Sequence, residues 1–384
     1  MGLWKMELQK ILGRPLLNVG LFLILALQLI AFCSDVSGKQ SEIDGNIYKG
    51  ISAIKADRRL AEEYGGRLIL MKVEQIIERF GFSGYRMEDE KKAPRSREGN
   101  FCNQWVTDNM TDFFYTEKKP SALKEGKMWQ ERGQQYFSAD LQFGYTAGWS
   151  YFHNLWSWSV LLLNVWLVLM VMPVFSEEYS RKTAPLLLTT VHGKCRDIWI
   201  KMGLSFLLGV TTFLLVTVWL LFLMISVYGT AGIDASAAMF DYRALFAGNG
   251  NMTVLQHLLH TFGAKFAAVC LNISVTLFFS SKCRNMVTAV VLRVAALYLL
   301  AWLLNELLYD LLFQMMYDSG LIHRFWGWLM LDLLRIICSV TTYYLSWSAV
   351  LGVPQNWIVI IRVVLAAVIS VSLWRAAVNY RKGI

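Results

Sequence analysis

Few residues in this chain are spaced for covalent chemistry. A phosphate-binding loop needs G-x-x-x-x-G-K-[ST], and no such stretch occurs. At Gly193-Lys194 the next residue is Cys195, and the upstream glycine is missing. The chain is therefore expected to hydrolyse no nucleotide by that route. No G-x-S-x-G, H-E-x-x-H or C-x-x-C is present, so the usual hydrolase signatures are absent too. The five His are scattered, and the six Cys lack metal-ligand spacing. Asn109-Met110-Thr111 and Asn251-Met252-Thr253 match the glycosylation pattern. The reading is a non-enzyme, with no catalytic, cofactor-binding or metal-binding residues expected in this chain.

Composition says what kind of non-enzyme. Of 384 residues, 55% are apolar, 14% aromatic and 17% charged, with 15 Trp and only 6 Pro. A soluble globule this apolar would lack the polar surface to cover itself. Disorder needs the opposite balance. The chain reads as an all-α polytopic membrane protein.

A span needs about 20 mostly apolar residues. Five windows meet that standard: Leu16–Phe32, Leu155–Phe175, Gly203–Val227, Met286–Leu304 and Trp357–Leu373. A sixth, Thr261–Ser280, carries Lys265 but is otherwise apolar. The segment 34–148 holds 18 basic and 18 acidic residues, so the whole net charge of +9 lies elsewhere. With the N-terminus inside, the short inner segments (1–15, 176–201, 281–285, 375–384) hold 13 Lys/Arg. The short outer segments (228–256, 305–353) hold 3. Lys/Arg bias in short loops sets orientation, and long domains cross regardless of charge. The expectation is six spans in the cell membrane with both termini cytoplasmic. Phe325–Val353 is also apolar but contains Asp332 and Arg335, so 305–353 reads as outer, re-entrant helices before the last span. Eight spans is the alternative.

The layout follows. Residues 1–15 form an interfacial amphipathic helix, with Trp4, Leu8, Ile11 and Leu12 at helical spacing and Pro15 turning the chain into the first span, 16–33. An unstructured basic anchor is the other reading of this end. Segment 34–148 is a domain-sized extracellular insertion of mixed structure. Ile54–Tyr64 and Leu68–Phe80 read as helices, the second with Ile69, Val73, Ile76, Ile77 and Phe80 on one face. Residues 86–98 read as a solvated charge run. Cys33 and Cys102 are left as either a disulfide or two inert thiols. Residues 149–384 hold the other five spans, with an inner loop at 176–201.

That inner loop is too long for a turn and too short for a domain. Glu177 and Glu178 open it, which suits a helix N-terminus. Leu186-Leu187-Leu188 and Thr189-Thr190 follow, and Gly193 breaks the run. The apolar ridge either packs on the chain's own spans or docks into a partner. The series Phe175, Glu178, Thr183, Leu186-Leu187-Leu188-Thr189, Gly193, Arg196 and Lys201 resembles the loop after the second span of ABC type-2 transporter permeases. In that family an acidic residue, Gly-Thr, a Leu-rich run with Ser/Thr, Gly-Arg and a closing Lys recur in this order. Here Lys182 stands where Gly is usual, and Lys194 stands in the Gly-Arg position. Gly148-Trp149 resembles bacterial members with an extracellular domain between the first two spans.

The resemblance implies a division of labour. Separate cytoplasmic ATPase subunits would hold ATP and Mg. This chain, paired with a second copy or a sister permease in membrane lipid, would form the pathway of an exporter. Residues 178–190 would be the helix that couples them, with Glu178, Thr183, Leu186, Leu187, Leu188, Thr189, Gly193 and Lys201 at that site. No nucleic-acid partner is expected. Two other classes stay open: a membrane-embedded sensor or scaffold whose extracellular domain binds a ligand, and a stand-alone channel or secondary transporter. Lys265 and Arg362 read as snorkelling cations. Arg293 lies deeper, and reads either as snorkelling or as a subunit-interface or pathway residue.

Overall fold

The computed structural model describes residues 3–83, 99–110, 123–124, 127–189, 196–240, 252–283, 285–295 and 355–382. In chain order these form α1 (Leu3–Leu12), α2 (Pro15–Gly38), β1 (Gln40–Ile43), β2 (Asn46–Lys49), α3 (Ile51–Glu63), β3 (Gly66–Arg67) and α4 (Leu70–Phe80). Next come α5 (Phe101–Met110), β4 (Leu123–Lys124), β5 (Lys127–Met128), α6 (Trp129–Ser138), β6 (Gln142–Phe143) and α7 (Ala147–Val171). The rest is α8 (Pro173–Ser180), α9 (Ala184–Thr189), α10 (Arg196–Tyr228), α11 (Val254–Lys282), α12 (Met286–Val294) and α13 (Gln355–Lys382). Among the described residues, five stretches are long and apolar enough to cross a membrane: Asn18–Gly38, Ala147–Ser180, Arg196–Tyr228, Val254–Lys282 and Ile361–Lys382. The chain is a predominantly α-helical membrane protein. The outer part of the expected span Met286–Leu304, the re-entrant segment 305–353, the charge run and Gly193 lie outside the described residues.

The chain divides into two compact units. The first holds 1–27, 156–219 and 260–384. Its helices pack through small residues: Ala264 and Ala268 of α11 meet Ile361 and Leu365 of α13. Close approach of helix backbones is what small residues permit where lipid gives no hydrophobic drive. Gly209 of α10 shows the tightness, since a Cβ there would come within 2.3 Å of Ile273. Trp156, Phe213, Phe262 and Phe266 stack into one aromatic cluster. Lys265 does not snorkel as expected. It is fully buried, donates to Ser157 Oγ at 2.8 Å and lies 5.1 Å from the Trp156 ring centre. Burial over an aromatic face and a hydroxyl holds the ammonium inside the bundle.

Pro173 separates α7 from α8, because proline lacks the amide that would continue the ladder. Ser280 of α11 repairs the break. Its Oγ accepts from the Phe175 and Ser176 amides at 3.0 and 3.1 Å and donates to the Met172 carbonyl at 2.5 Å. Such repair by a neighbouring helix is how membrane helices tolerate proline.

The second unit holds 28–155 and 220–259. It is therefore larger than the expected insertion, because residues 220–259 complete it. The Trp105 indole donates to the Met239 carbonyl, and Gln142 and Ser236 exchange hydrogen bonds. β1 and β2 pair antiparallel, turned by Asp44-Gly45, both with positive φ, the Asp-Gly signature of a tight hairpin. β3 pairs antiparallel with β6. Asn100 caps α5: its Oδ1 accepts from the Cys102 and Asn103 amides, while Asn103 Oδ1 accepts from the Asn100 amide. The core is aromatic, with Trp105 edge-on to both Tyr136 and Phe143. Cys33 and Cys102 are free thiols, so the disulfide alternative falls away. Burial pushes the Cys102 thiol far above its ordinary range.

Candidate functional site

The inner loop expected from the sequence is built in the first unit, on α8 and α9. α8 ends in a reverse turn of defined geometry. The Thr183 amide donates to the Glu178 carbonyl at 2.9 Å, and the Lys182 amide to the Tyr179 carbonyl at 3.1 Å. This pair of bonds is a Schellman C-cap, whose turning residue takes a left-handed conformation. That residue is Lys182, with φ 57°. The position where the resembled family usually has glycine is thus the position where the backbone asks for it. The Thr183 hydroxyl also reaches the Glu178 carbonyl, and the Thr183 carbonyl accepts from Leu187, starting α9.

α9 is a single exposed turn and a half. Leu186 is 70% exposed, Leu187 and Leu188 are half-buried, and the Thr189 hydroxyl closes on the Leu186 carbonyl at 2.7 Å. Of the two readings of the ridge, packing on the chain's own spans accounts for Leu187 and Leu188 only in part, and for Leu186 not at all.

Glu178 is not at a helix N-terminus, contrary to the sequence expectation. It sits near the end of α8 and is 3% exposed. The chain enters α8 through Pro173, so the acidic pair falls in the last turns rather than the first. Its carboxylate accepts from Lys201 Nζ at 2.7 and 2.8 Å, from the Tyr380 hydroxyl at 2.5 Å and from Lys10 Nζ at 3.1 Å. Lys201 also meets Asp197 Oδ2 at 2.5 Å, one helical turn away on α10. An ammonium has three protons, and these three oxygens match them. The Tyr380 ring lies 5.5 Å from that ammonium and packs on Phe175 and Tyr179.

Charges balance here: Lys10 and Lys201 face Glu178 and Asp197. Around them Glu177 pairs with Arg14 and Arg181, and Glu7 lies 3.9 Å from Lys10. Burial raises the Glu7 carboxyl above its ordinary value, against the pull of Lys201 and Lys10. At the cluster's centre Glu178, Lys201 and Asp197 are buried and bonded to one another. Its capability is mechanical: it fastens α1, α8, α10 and α13 at one point. Sequence reasoning found Glu178, Thr183 and Lys201 but missed Lys10, Arg14, Asp197 and Tyr380. Asp197 and Lys201 stand four residues apart on one helix face, which is a readable ion-pair signal. The others come from distant helices and carry no local signal.

Arg293 is separate from this cluster. It is buried, at 5% exposure, and donates to Asn272 Oδ1 at 2.8 Å and Thr276 Oγ1 at 3.3 Å, both on α11. It does not snorkel. Asn272 in turn donates to the Asn164 carbonyl of α7 at 2.8 Å. Among the described residues no group of His, Cys, Asp or Glu could hold a metal ion.

No known family model matches the chain, and neither a curated protein nor a solved structure matches it.

Proposed function

We propose that the chain is the transmembrane permease subunit of an ATP-binding cassette exporter. In this reading ATP and Mg are held by separate cytoplasmic ATPase subunits, and two permease chains form the pathway. There are six spans, both termini are cytoplasmic, and the polar insertion is extracellular. The observation that carries the reading is the joint at Glu178. It mounts α9, with Leu186 facing outward, on a buried ion cluster that ties four helices. A partner that moved α9 would move α1, α8, α10 and α13 with it. A lever needs such a rigid mount, because a helix on a loose loop would yield instead of transmitting force. The resemblance of 175–201 to the permease loop gives the partner its class.

The test is to purify the tagged chain from its own membranes in mild detergent. Vanadate-sensitive ATP hydrolysis should co-purify. Leu186→Asp should abolish that activity while yield and thermal unfolding stay at wild-type level, since the side chain is outside the core. One buried Leu contributes about 1.5–3 kcal/mol to a contact, enough for tenfold or more in affinity. Absence of any ATPase, or full activity in Leu186→Asp, would sink the reading. Orientation is checked by thiol labelling of intact cells carrying Lys55→Cys or Lys382→Cys, both exposed positions. Only the first should react from outside.

A further inference from the structure

The second unit contains a cavity of about 500 Å³, walled by α5 on one side and by the first two turns of α7 on the other. That volume lies within the roughly 300–1,000 Å³ of small-ligand sites and is too small for a folded partner. The stretch Ala147–Ser180 has 34 residues, about 51 Å at 1.5 Å per residue, where about 30 Å crosses the hydrocarbon. Its apolar run begins at Leu155, so the first two turns of α7 belong to the surplus length.

Four neutral polar side chains line this space: Gln104 of α5, and Ser150, Tyr151 and Asn154 of α7. Ser150 and Asn154 stand one turn apart on one helix face. None of the four side chains hydrogen-bonds to another described residue. Each can both donate and accept. The remaining polar groups at the cavity are already engaged. Lys39 pairs with Asp35 at 3.3 Å, and Asp108 has a partner within the chain. Asn109 donates to the Trp105 carbonyl and accepts from Tyr136. The cavity therefore suits a ligand without charge. Its aromatic part is held in place before any ligand arrives. Half-buried Phe101 is edge-on to Tyr145 at 4.9 Å, and half-buried Phe240 is edge-on to His257 at 5.1 Å. Trp105 is wedged between Tyr136 and Phe143, and its indole proton is committed to Met239.

We infer that this cavity binds a neutral sugar ring. A sugar carries a hydroxyl on nearly every carbon, and each hydroxyl donates and accepts, as each of the four side chains does. A peptide of the same volume brings fewer such groups, one N–H and one C=O per residue, and an acyl chain brings none. The C–H face of the ring would lie on Phe101 or Phe240, while its hydroxyls meet Gln104, Ser150, Tyr151 and Asn154. Such a ring arrives either on a free glycan or as the headgroup of a glycolipid. The inference stands apart from the exporter reading, because a partner ATPase does not enter it.

The test uses the full chain in phosphatidylcholine nanodiscs, prepared without any sugar-headed detergent. One sample is dialysed against an equimolar mixture of neutral trisaccharides, and a parallel cell holds tripeptides with acetylated and amidated ends. Retained ligand is read by mass spectrometry. Trisaccharides should be retained about tenfold over the capped tripeptides. Tyr151→Phe and Gln104→Met remove hydrogen-bonding groups at nearly constant size, and each should cut retention about three- to tenfold. Ser150→Trp should abolish it by filling the space, and the near-isosteric pair keeps the test sound should that variant misfold. A second set of discs carries a neutral glycosyl diacylglycerol. Trisaccharide displaced by this lipid assigns the ring to a headgroup, and trisaccharide retained undiminished assigns it to a free glycan; both uphold the sugar. Equal retention of the capped tripeptides overturns the inference. So does retention unchanged in both near-isosteric variants, or a chain that holds neither trisaccharide nor glycolipid.

Discussion

The Tyr380 hydroxyl donates to the Glu178 carboxylate across 2.5 Å, joining the last described helix to the end of α8. The same carboxylate accepts two hydrogen bonds from Lys201. With Lys10 of α1, one buried group thus receives three elements far apart in the chain.

Removing Glu178 should be severe. Glu178→Ala leaves Lys201 buried with Asp197 alone and costs about 3–5 kcal/mol, as breaking buried ion pairs does. Tyr380→Phe removes one hydrogen bond to a charged group and should cost less, about 1.5–3 kcal/mol. A double-mutant cycle on Glu178 and Lys201, read by denaturant unfolding in micelles, should show strong coupling. Additive losses would mean the pair does not act as a unit.

Lys182→Gly should stabilise the chain. The left-handed backbone there costs an ordinary residue about 1–2 kcal/mol, which glycine avoids, offset in part by its unfolded-state freedom. The net expectation is a gain of about 0.5–1 kcal/mol, visible as a raised unfolding midpoint. Lys182→Val, β-branched at the same φ, should move the midpoint down.

Arg293→Lys should not be silent. A guanidinium can reach Asn272 and Thr276 together, whereas a single ammonium on a flexible stem loses the fork. The expected loss is about 1–2 kcal/mol of stability, measured by thermal unfolding with wild type alongside. Unchanged unfolding would show that the fork contributes nothing.

Asp57 sets a pH dependence in the second unit. Burial raises its carboxyl above the unfolded value of 3.8, although Ser41 and the Phe101 amide donate to it and Lys39 is near. Between 3.8 and the raised folded value, the folded state holds the extra proton. Stability from this group is therefore full below 3.8 and falls as pH rises through that window. Asp57→Asn keeps an Oδ1 acceptor for both donors and removes the charge. It should be more stable than wild type at pH 7 and equal at pH 3, flattening the unfolding profile. Asp44 works in the opposite sense. Its hydrogen bond from Arg79 lowers its carboxyl below 3.8, so its contribution is lost only as pH falls further.

The five described helices long and apolar enough to cross a membrane were legible because long apolar runs have one physical meaning. The helix at Leu70–Phe80 was legible from its stripe, and α1 from its spacing before Pro15. What escaped the sequence is non-local. Nothing near Tyr380 marks it as a partner of Glu178, and nothing in 34–148 shows that Met239 would take the Trp105 proton. Lys265 looked like a snorkelling cation, and Arg293 stood between snorkelling and an interface or pathway role, because a lone charge in an apolar run gives no hint of the Ser157 or Asn272 on a facing helix. Glu178 misled for a different reason: acidic pairs favour helix starts, and here Pro173 had already started one.

The pairing of β3 with β6 sets the timetable on which the second unit can be made. Gly66 waits for Phe143, and Leu68 donates to the Leu141 carbonyl, so the ribosome must deliver the whole insertion before the first strand has a partner. The wait extends further. Trp105 needs Met239, and Ala237 needs the Met252 carbonyl, so α7 and α10 must also have emerged. At about 5–20 residues per second, α3 and α4 spend many seconds as an unfinished half-domain. Newly made chains stalled before residue 239 has emerged should therefore expose the Trp105 face to chaperones and proteases. Chains stalled once residue 254 has emerged should not.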